Sequence, residues 1–242
     1  MNRNTQRILM TTHAIEVAHL TKKYGQWPAL NDISFAIEPG QIVGLMGDNG
    51  SGKTTLLKIL AGILSGYEGN VAIHGHAPGP QSKAITSYLP DESALPTSLT
   101  ADEAISMYAD FFDDFDRAQA SEMIDFFELP HNKRFREMSK GMREKAQVAL
   151  TMSRRAKVHL LDEPISGVDP AARDIIMRGV LTGFDPDALM ILSTHLIRDI
   201  EPIIDYAIFM RQGKILLAGH VDDLREEHGT DLDTLFRKVY AR

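Results

Sequence analysis

The chain contains no cysteine among its 242 residues. Disulfide bonds and thiolate metal sites are therefore excluded, and the absence fits a cytosolic protein. Cationic residues are also few, since 26 Lys and Arg stand against 33 Asp and Glu and the formal net charge is −7. This balance argues against a large nucleic-acid interface, so we expect no nucleic-acid partner. No apolar run reaches the roughly 18 residues that a bilayer-spanning helix requires.

Residues 1–12 are polar apart from Ile8, Leu9 and Met10. Three apolar residues are too few for the core of a signal peptide, so we interpret this segment as a frayed start. The remaining length is sufficient for the core of one domain that carries an inserted subdomain.

The most informative stretch is 47–55, Gly-Asp-Asn-Gly-Ser-Gly-Lys-Thr-Thr. The phosphate-loop pattern has a glycine, four free positions and then Gly-Lys-Ser/Thr, and four residues match it: Gly47, Gly52, Lys53 and Thr54. Segment 41–46 before the loop has the composition of a buried strand, and 53–64 after it has helical apolar spacing. Strand, glycine-rich loop and helix together favour a phosphate site over a turn that only caps a helix.

Each residue type in this loop has a chemical reason. Gly47, Gly50 and Gly52 let the backbone curl so that its N–H groups face an anion. Lys53 can reach the β- and γ-phosphates, and the Thr54 hydroxyl can ligate Mg²⁺. The predicted nucleotide-binding set also includes the other loop residues: Asp48, Asn49, Ser51 and Thr55.

Two adjacent carboxylates, Asp162 and Glu163, follow the apolar segment 158–161, which we interpret as a buried strand. Two ionised carboxylates repel each other unless a cation compensates them, and in a phosphate-loop protein that cation is Mg²⁺. We therefore place Asp162 beside the metal and expect Glu163 to polarise water. The alternative is a pair of solvated loop acids. His159 within the strand is interpreted as structural.

A helical insert is predicted over about 95–157. Capping-box patterns at 100–103 and 116–119 each precede apolar residues at helical spacing. Phe111 and Phe115 either belong to the core of this insert or dock a partner helix, and the sequence does not separate the two.

Three further positions carry two interpretations each, and a fourth, Asp169, carries one. Tyr24 lies in a predicted loop, 22–27, where its ring either stacks on adenine or covers a sheet edge. Ser139 is an N-cap that, with Gly141, also suits a second phosphate-facing helix N-terminus. Asp169 is a predicted cap. His195 follows a strand, where it is either a satisfied polar residue or a ligand contact.

The remaining pattern predicts short strands at 14–20, 31–37, 70–74, 85–89 and 188–192, a hairpin of 207–211 with 215–218, and terminal helices at 222–227 and 231–240.

Together these motifs resemble the nucleotide-binding domain of an ATP-binding cassette (ABC) protein over nearly the whole chain. They occur in that family's order: Tyr24, the phosphate loop, the segment 88–91, the signature 138–142, the carboxylates Asp162 and Glu163, the D-loop 166–169 and the switch His195. The resemblance implies an α/β fold with a P-loop NTPase core, a mixed, largely parallel sheet, an N-terminal antiparallel β subdomain and an inserted α-helical subdomain. It implies a core of 13–94 and 158–228, a helical signature subdomain of 95–157 and a helical tail of 229–242.

Two motifs depart from the family pattern. The signature keeps Ser139 and Gly141 but has Lys140 in place of a glycine and Met142 in place of a glutamine. The Q-loop position, usually glutamine, is Asp91, whose contact with Mg²⁺ or the attacking water is therefore in question. Both departures resemble those of ABC exporters whose permease is a separate polypeptide.

The resemblance also implies an ATPase that uses Mg²⁺. Lys53 and the loop amides would bind the phosphates, Thr54 and Asp162 would hold the metal, Glu163 would orient water, and His195 would contact the γ-phosphate. A second cassette, identical or different, would meet this one head to tail and complete the site with its signature. The pair would drive integral-membrane permease subunits from the inner face of the cell membrane, with export favoured.

Two other ABC classes remain as alternatives. Soluble ABC ATPases of DNA repair or chromosome structure carry long coiled-coil or zinc-binding insertions, and ribosome-associated ABC proteins carry two tandem cassettes. This chain has a compact insert and one cassette. Co-purification with a membrane protein would discriminate among the three.

Overall fold

A computed structural model describes residues 13–241, so the predicted frayed start, 1–12, lies outside the described residues. The strands of the described part are β1 (Ile15–Tyr24), β2 (Trp27–Ile37), β3 (Ile42–Met46), β4 (Glu68–Ile73), β5 (Thr86–Leu89), β6 (Val158–Asp162), β7 (Leu189–Thr194), β8 (Tyr206–Arg211) and β9 (Lys214–His220). The helices are α1 (Lys53–Leu60), α2 (Pro80–Ala84), α3 (Ala101–Phe111), α4 (Arg117–Phe126), α5 (Lys140–Met152), α6 (Pro170–Thr182), α7 (Ile197–Ile200), α8 (Val221–His228) and α9 (Leu232–Tyr240).

The strands form two sheets. A three-stranded antiparallel sheet has the order β2-β1-β4, and a six-stranded sheet has the order β5-β6-β7-β3-β8-β9. The larger sheet is parallel except for its last strand. Because the carboxyl ends of parallel strands meet at one edge, the segments that follow β3, β6 and β7 lie side by side.

The central strand β3 is buried on both faces, which explains its continuous apolar run. Val43 and Leu45 face a core that includes Leu56 and Leu57 of α1. Met46 faces the opposite core, to which the helical insert contributes. The phosphate loop is thus attached to the most buried strand of the sheet, which restrains its position.

The helical insert begins as predicted, but one of its capping boxes is only half formed. Thr100 accepts from the Glu103 N–H while the Glu103 carboxylate accepts from the Thr100 N–H, so the first box is complete. Asp116 caps α4 in the second. The Gln119 amide does not return to the cap and instead donates to the carbonyls of residues 152 and 183. These two carbonyls need a hydrogen-bond donor within the fold, and the Gln119 side chain serves them instead of completing the capping box.

A buried arginine joins the insert to the large sheet. Arg154 is 5% exposed, and its Nε and Nη2 each lie 2.9 Å from the Asp114 carboxylate. Nη1 and Nη2 also donate to the carbonyls of Thr86 and Ala84, at 2.7 and 3.0 Å. The guanidinium carbon lies 4.1 Å from the Phe112 ring centroid. The Arg154 guanidinium therefore links Asp114 of the helical insert to the backbone at the start of β5.

Other local predictions were wrong in detail. The predicted loop at 22–27 belongs mostly to β1 and β2, because Gly25, at φ +61°, permits a tight turn between them. The phosphate-loop helix ends at Leu60, earlier than predicted, and Gly62 follows at φ +67°. Helices α2 and α7 were not predicted, because they are too short to show a helical spacing of apolar residues. Within residues 13–241, every helix is too short or too polar to cross a bilayer.

Candidate active site

The phosphate loop has the backbone conformation that its glycines permit. Gly50 and Gly52 have φ values of +81° and +109°, which side-chain-bearing residues rarely adopt. A Cβ on Gly52 would also lie 2.5 Å from the Ala29 carbonyl oxygen. Gly52 is the N-cap of α1 and no described side chain caps that helix, so the first N–H groups of α1 suit an anion.

Lys53 is almost completely buried beneath this loop, with 5% of its surface exposed. Its Nζ donates to the carbonyls of Gly47 and Asp48, at 2.6 and 3.2 Å. Its other neighbour is the Glu163 carboxylate, 3.4 Å away. The Ser51 hydroxyl is also buried and has no hydrogen-bond partner among the described residues. The loop thus holds a buried ammonium at the edge of the cleft, whose charge a phosphate would complement.

Asp162 ends β6 and is completely buried. Its Oδ1 accepts from the Ser193 hydroxyl at 2.6 Å, and the Tyr88 hydroxyl lies 3.5 Å from Oδ2. Burial raises the pKa of Asp162, while hydrogen bonds from Ser193 and Thr54 act in the opposite direction. A buried carboxylate next to the Thr54 hydroxyl is a pair of hard oxygen ligands of the kind that Mg²⁺ takes.

Glu163 has a left-handed backbone, at φ +50°. Its N–H bonds the Ser193 carbonyl and hydroxyl oxygens, at 3.1 and 3.0 Å, which holds this conformation. Such a conformation costs about 1–3 kcal/mol and is characteristic of functional sites. The carboxylate lies between two basic groups, because Oε2 is 3.0 Å from Nδ1 of His195 and Oε1 faces Lys53. Glu163 is therefore held in one orientation from both sides.

Lys53, Thr54 and Glu163 border a cleft of about 430 Å³ whose full lining comprises Ala29, Asn49, Gly50, Gly52, Lys53, Thr54, Thr55, Asp91 and Glu163. The predicted site residues Asp162 and His195 are not part of this lining, and neither are Gly47, Asp48 and Ser51. The Q-loop aspartate thus shares the cleft with the phosphate loop. Within residues 13–241, no cluster of three or more acidic or histidine side chains would hold a metal alone. The present residues fit Mg²⁺ if nucleotide phosphate oxygens complete its coordination.

Tyr24 does not line this cleft. It lies at the end of β1 and is 53% exposed, while Trp27 beside it is 81% exposed. The Lys22 ammonium lies 5.5 Å from the Tyr24 ring centroid and donates to the carbonyls of Ser65 and Gly66. Both interpretations of Tyr24, stacking on adenine and cover of a sheet edge, stay predictions.

The signature residues lie outside the cleft as well. Ser139 caps α5 by accepting from the Met142 N–H at 3.3 Å, as predicted for a cap. Lys140 is exposed and pairs with Glu144 at 3.6 Å. Its Nζ also lies next to Gly167, in the D-loop. The cleft lining does not include Ser139, Lys140, Gly141 or Met142.

Asp169 caps α6 by accepting from the Ala172 N–H at 3.0 Å, and Pro170 occupies the first helical position. The last residue of the predicted D-loop, 166–169, is therefore the N-cap of α6.

Sequence reasoning missed Ser193. This buried residue bonds the side chain of Asp162 and the backbone of Glu163, so it positions both carboxylates. Its signal was a hydroxyl residue at the polar end of an apolar strand, immediately before Thr194 and His195.

Comparison with known proteins agrees with this geometry. Residues 30–166, more than half of the chain, match the family model described as ABC transporter, and the chain belongs to that family. The ABC transporter ATP-binding protein YtrB of Bacillus subtilis is 29% identical over 217 residues, which are 88% of this chain and 74% of that protein. The Nod factor export ATP-binding protein I of Rhizobium etli is 27% identical over 234 residues, 93% of this chain and 73% of that protein.

A solved structure titled as the ATP binding subunit of an ABC transporter superposes with a TM-score of 0.83 at 26% identity. The match covers 94% of this chain and 99% of that one. The α/β fold inferred from the resemblance is confirmed. This chain is an ATP-binding subunit of the ABC transporter family and an ATPase.

Proposed function

We propose that this chain energises a separately encoded permease, that it acts as a head-to-tail dimer of cassettes, and that the transport is export. The observation that carries the dimer is the separation of two half-sites on one chain. The phosphate loop and Glu163 border one cleft, while Ser139 and its neighbours lie outside it. A second cassette would bring the missing half.

The phosphate-binding step follows from the loop. Lys53 and the N–H groups around Gly50 and Gly52 would hold the β- and γ-phosphates. Thr54 and Asp162 would hold Mg²⁺, and Asp91 borders the same cleft. When bound, the metal neutralises charge that develops on the phosphate oxygens.

Glu163 is the group positioned to act on water. His195 fixes Oε2, and the buried Oε1 lies 3.4 Å from the Lys53 ammonium but makes no hydrogen bond among residues 13–241. An oriented carboxylate whose oxygen keeps a free lone pair can accept a hydrogen bond from the attacking water and align it. His195 is 41% exposed, so its ring also borders solvent from which a phosphate could approach. The proposed hydrolysis thus uses Glu163 to orient water and His195 to hold Glu163.

The permease would dock on the helical insert. Phe111 is 76% exposed at the end of α3, and the same face carries Asp102, Glu103 and Asp110. Cytoplasmic loops of membrane proteins carry an excess of Lys and Arg, which complements an acidic face around an exposed aromatic. Such docking would place the chain on the inner face of the membrane. Export is supported by the name of the Rhizobium relative.

The test compares Glu163→Gln with the wild-type protein. We expect Mg²⁺-ATP binding within about twofold of wild type and turnover reduced at least about 100-fold, because the positioned carboxylate charge is lost. Slow turnover should trap the ATP-bound pair, so light scattering should show a dimer with ATP and a monomer without it.

The matched control is Glu226→Gln, an exposed glutamate on α8 remote from the cleft. It should hydrolyse ATP normally. Full turnover in Glu163→Gln would remove Glu163 from the proposed role, and a monomer with bound ATP would contradict the dimer. Absence of any membrane protein after mild detergent purification of the tagged chain from its own cells would contradict the permease.

A further inference from the structure

The last turn of α9 packs against the side of the phosphate loop that faces away from the cleft. The Tyr240 hydroxyl donates to the Met210 carbonyl. A Cβ on Gly47 would collide with that carbonyl and lie 3.0 Å from the Tyr240 hydroxyl oxygen. The phenol, the end of β8 and the first glycine of the loop therefore meet at one point, and only glycine leaves room for them.

Several contacts hold the Tyr240 ring in this place. The Phe236 ring stacks on it with centroids 3.9 Å apart, and Phe236 packs in turn on Phe209 at 5.3 Å. Arg211 donates to the Tyr240 carbonyl at 2.8 Å and lies 5.4 Å from the ring centroid. Burial raises the pKa of Tyr240 to about 12, although a hydrogen bond from the Asp48 backbone favours the ionised form. The hydroxyl is thus a protonated donor throughout the physiological pH range.

The same two loop residues contact both Tyr240 and Lys53. Gly47 and Asp48 adjoin the phenol on one side, and their carbonyls accept from the Lys53 ammonium on the other. A shift of this segment would move the ammonium and the following N–H groups together. Tyr240 is far from Gly47 and Asp48 in the sequence, so only the fold brings them together.

From this geometry we propose that Tyr240 is a positioning residue for ATP binding, which holds the first turn of the phosphate loop in its binding conformation. A glycine-rich segment has a large conformational entropy to lose when it orders around an anion. A hydroxyl that fixes Gly47 and Asp48 in advance reduces the loss that remains at binding. The hydroxyl does not touch the cleft, so its effect falls on affinity for the phosphates and not on the chemical step.

Tyr240→Phe in the full chain removes the hydroxyl and keeps the ring stack. One hydrogen bond contributes about as much as a three- to tenfold change in an equilibrium constant. We therefore expect titration calorimetry to show Mg²⁺-ATP binding weaker by about that factor. Steady-state hydrolysis should show KM raised by the same factor and kcat within about twofold of wild type.

The matched control is Tyr206→Phe, on β8. That tyrosine is half-buried, and within residues 13–241 its hydroxyl makes no hydrogen bond. The control should bind ATP as the wild type does. Both variants should melt within a few degrees of wild type.

Three results would overturn the proposal. One is Tyr240→Phe with wild-type ATP affinity, and another is an equal loss of affinity in Tyr206→Phe. The third is a fall in kcat and melting temperature that accounts for the whole effect, which would make the residue merely structural. The inference depends on ATP binding and not on the permease or the dimer. Binding measured on the monomer therefore separates its failure from that of the proposed function.

Discussion

Arg154 should be among the residues on which stability depends most strongly. Arg154→Met would keep a side chain of similar reach but remove the guanidinium. The Asp114 carboxylate would lose both of its 2.9 Å bonds, and the carbonyls of Thr86 and Ala84 would lose their donors. The replaced group lies where the helical insert joins β5, so the damage would affect the attachment of the insert.

The magnitude follows from burial. Removing one partner of a buried ion pair costs about 3–5 kcal/mol, because the other charge remains without compensation. Asp114 keeps 24% of its side chain exposed, so water partly compensates its charge and the lower end of that range applies. We expect Arg154→Met to lose about 3 kcal/mol, which is a large part of the roughly 5–15 kcal/mol of a typical domain. Arg154→Lys keeps the charge but not the paired geometry, so it should lose about half as much.

Urea unfolding followed by far-ultraviolet circular dichroism measures the loss. The single tryptophan, Trp27, is 81% exposed and would report poorly by fluorescence. Arg117→Met is the control, because Arg117 pairs with Asp110 at 3.5 Å while both side chains are more than half exposed. That variant should lose less than about 0.5 kcal/mol. A loss below about 1 kcal/mol for Arg154→Met would refute the reasoning.

Two further predictions concern pH and the loop. Burial, with the nearby Arg154 charge, lowers the pKa of His159 from 6.5 to about 4. As the pH falls, His159 is therefore protonated in the unfolded chain before it is protonated in the folded one. The free energy of unfolding should fall by about 2 kcal/mol between pH 8 and pH 5. His159→Gln should lose that part of the pH dependence in urea titrations, and an unchanged slope would contradict it. Gly52→Ala should weaken ATP binding at least about tenfold, since its Cβ would meet the Ala29 carbonyl. Gly75→Ala, at φ +77° with open space around it, should bind ATP normally while it loses about 1 kcal/mol of stability.

Local patterns in the sequence were sufficient wherever the interacting residues are neighbours. The phosphate loop was predictable because its strand, glycines and helix are contiguous, and their conformation follows from a few φ values. Ser139 and Asp169 cap their helices as predicted, since a cap needs only a side chain and the next three N–H groups. The complete box at Thr100 and Glu103 has the same origin.

The half-formed box at Asp116 shows where local reasoning stops. Gln119 has the right type and spacing to complete it, but two core carbonyls compete for the same amide. Their partner had to come from somewhere in the fold, because a buried acceptor without a donor costs about 1–3 kcal/mol. No window of sequence around Gln119 contains that information.

Residue types and their spacing thus determined a phosphate loop and the candidate carboxylates, and the order of the motifs supported the family resemblance. Only the tertiary structure decided which of these groups touch. The order β6-β7-β3 brings Glu163 between Lys53 and His195. It also places the Ser193 hydroxyl where it donates to the Asp162 carboxylate and accepts from the Glu163 N–H. Contacts with β8 place α9 behind the loop. Contacts within one turn or loop depend on backbone geometry that neighbouring residues dictate, whereas contacts between distant segments depend on sheet order and packing, which the whole chain sets together.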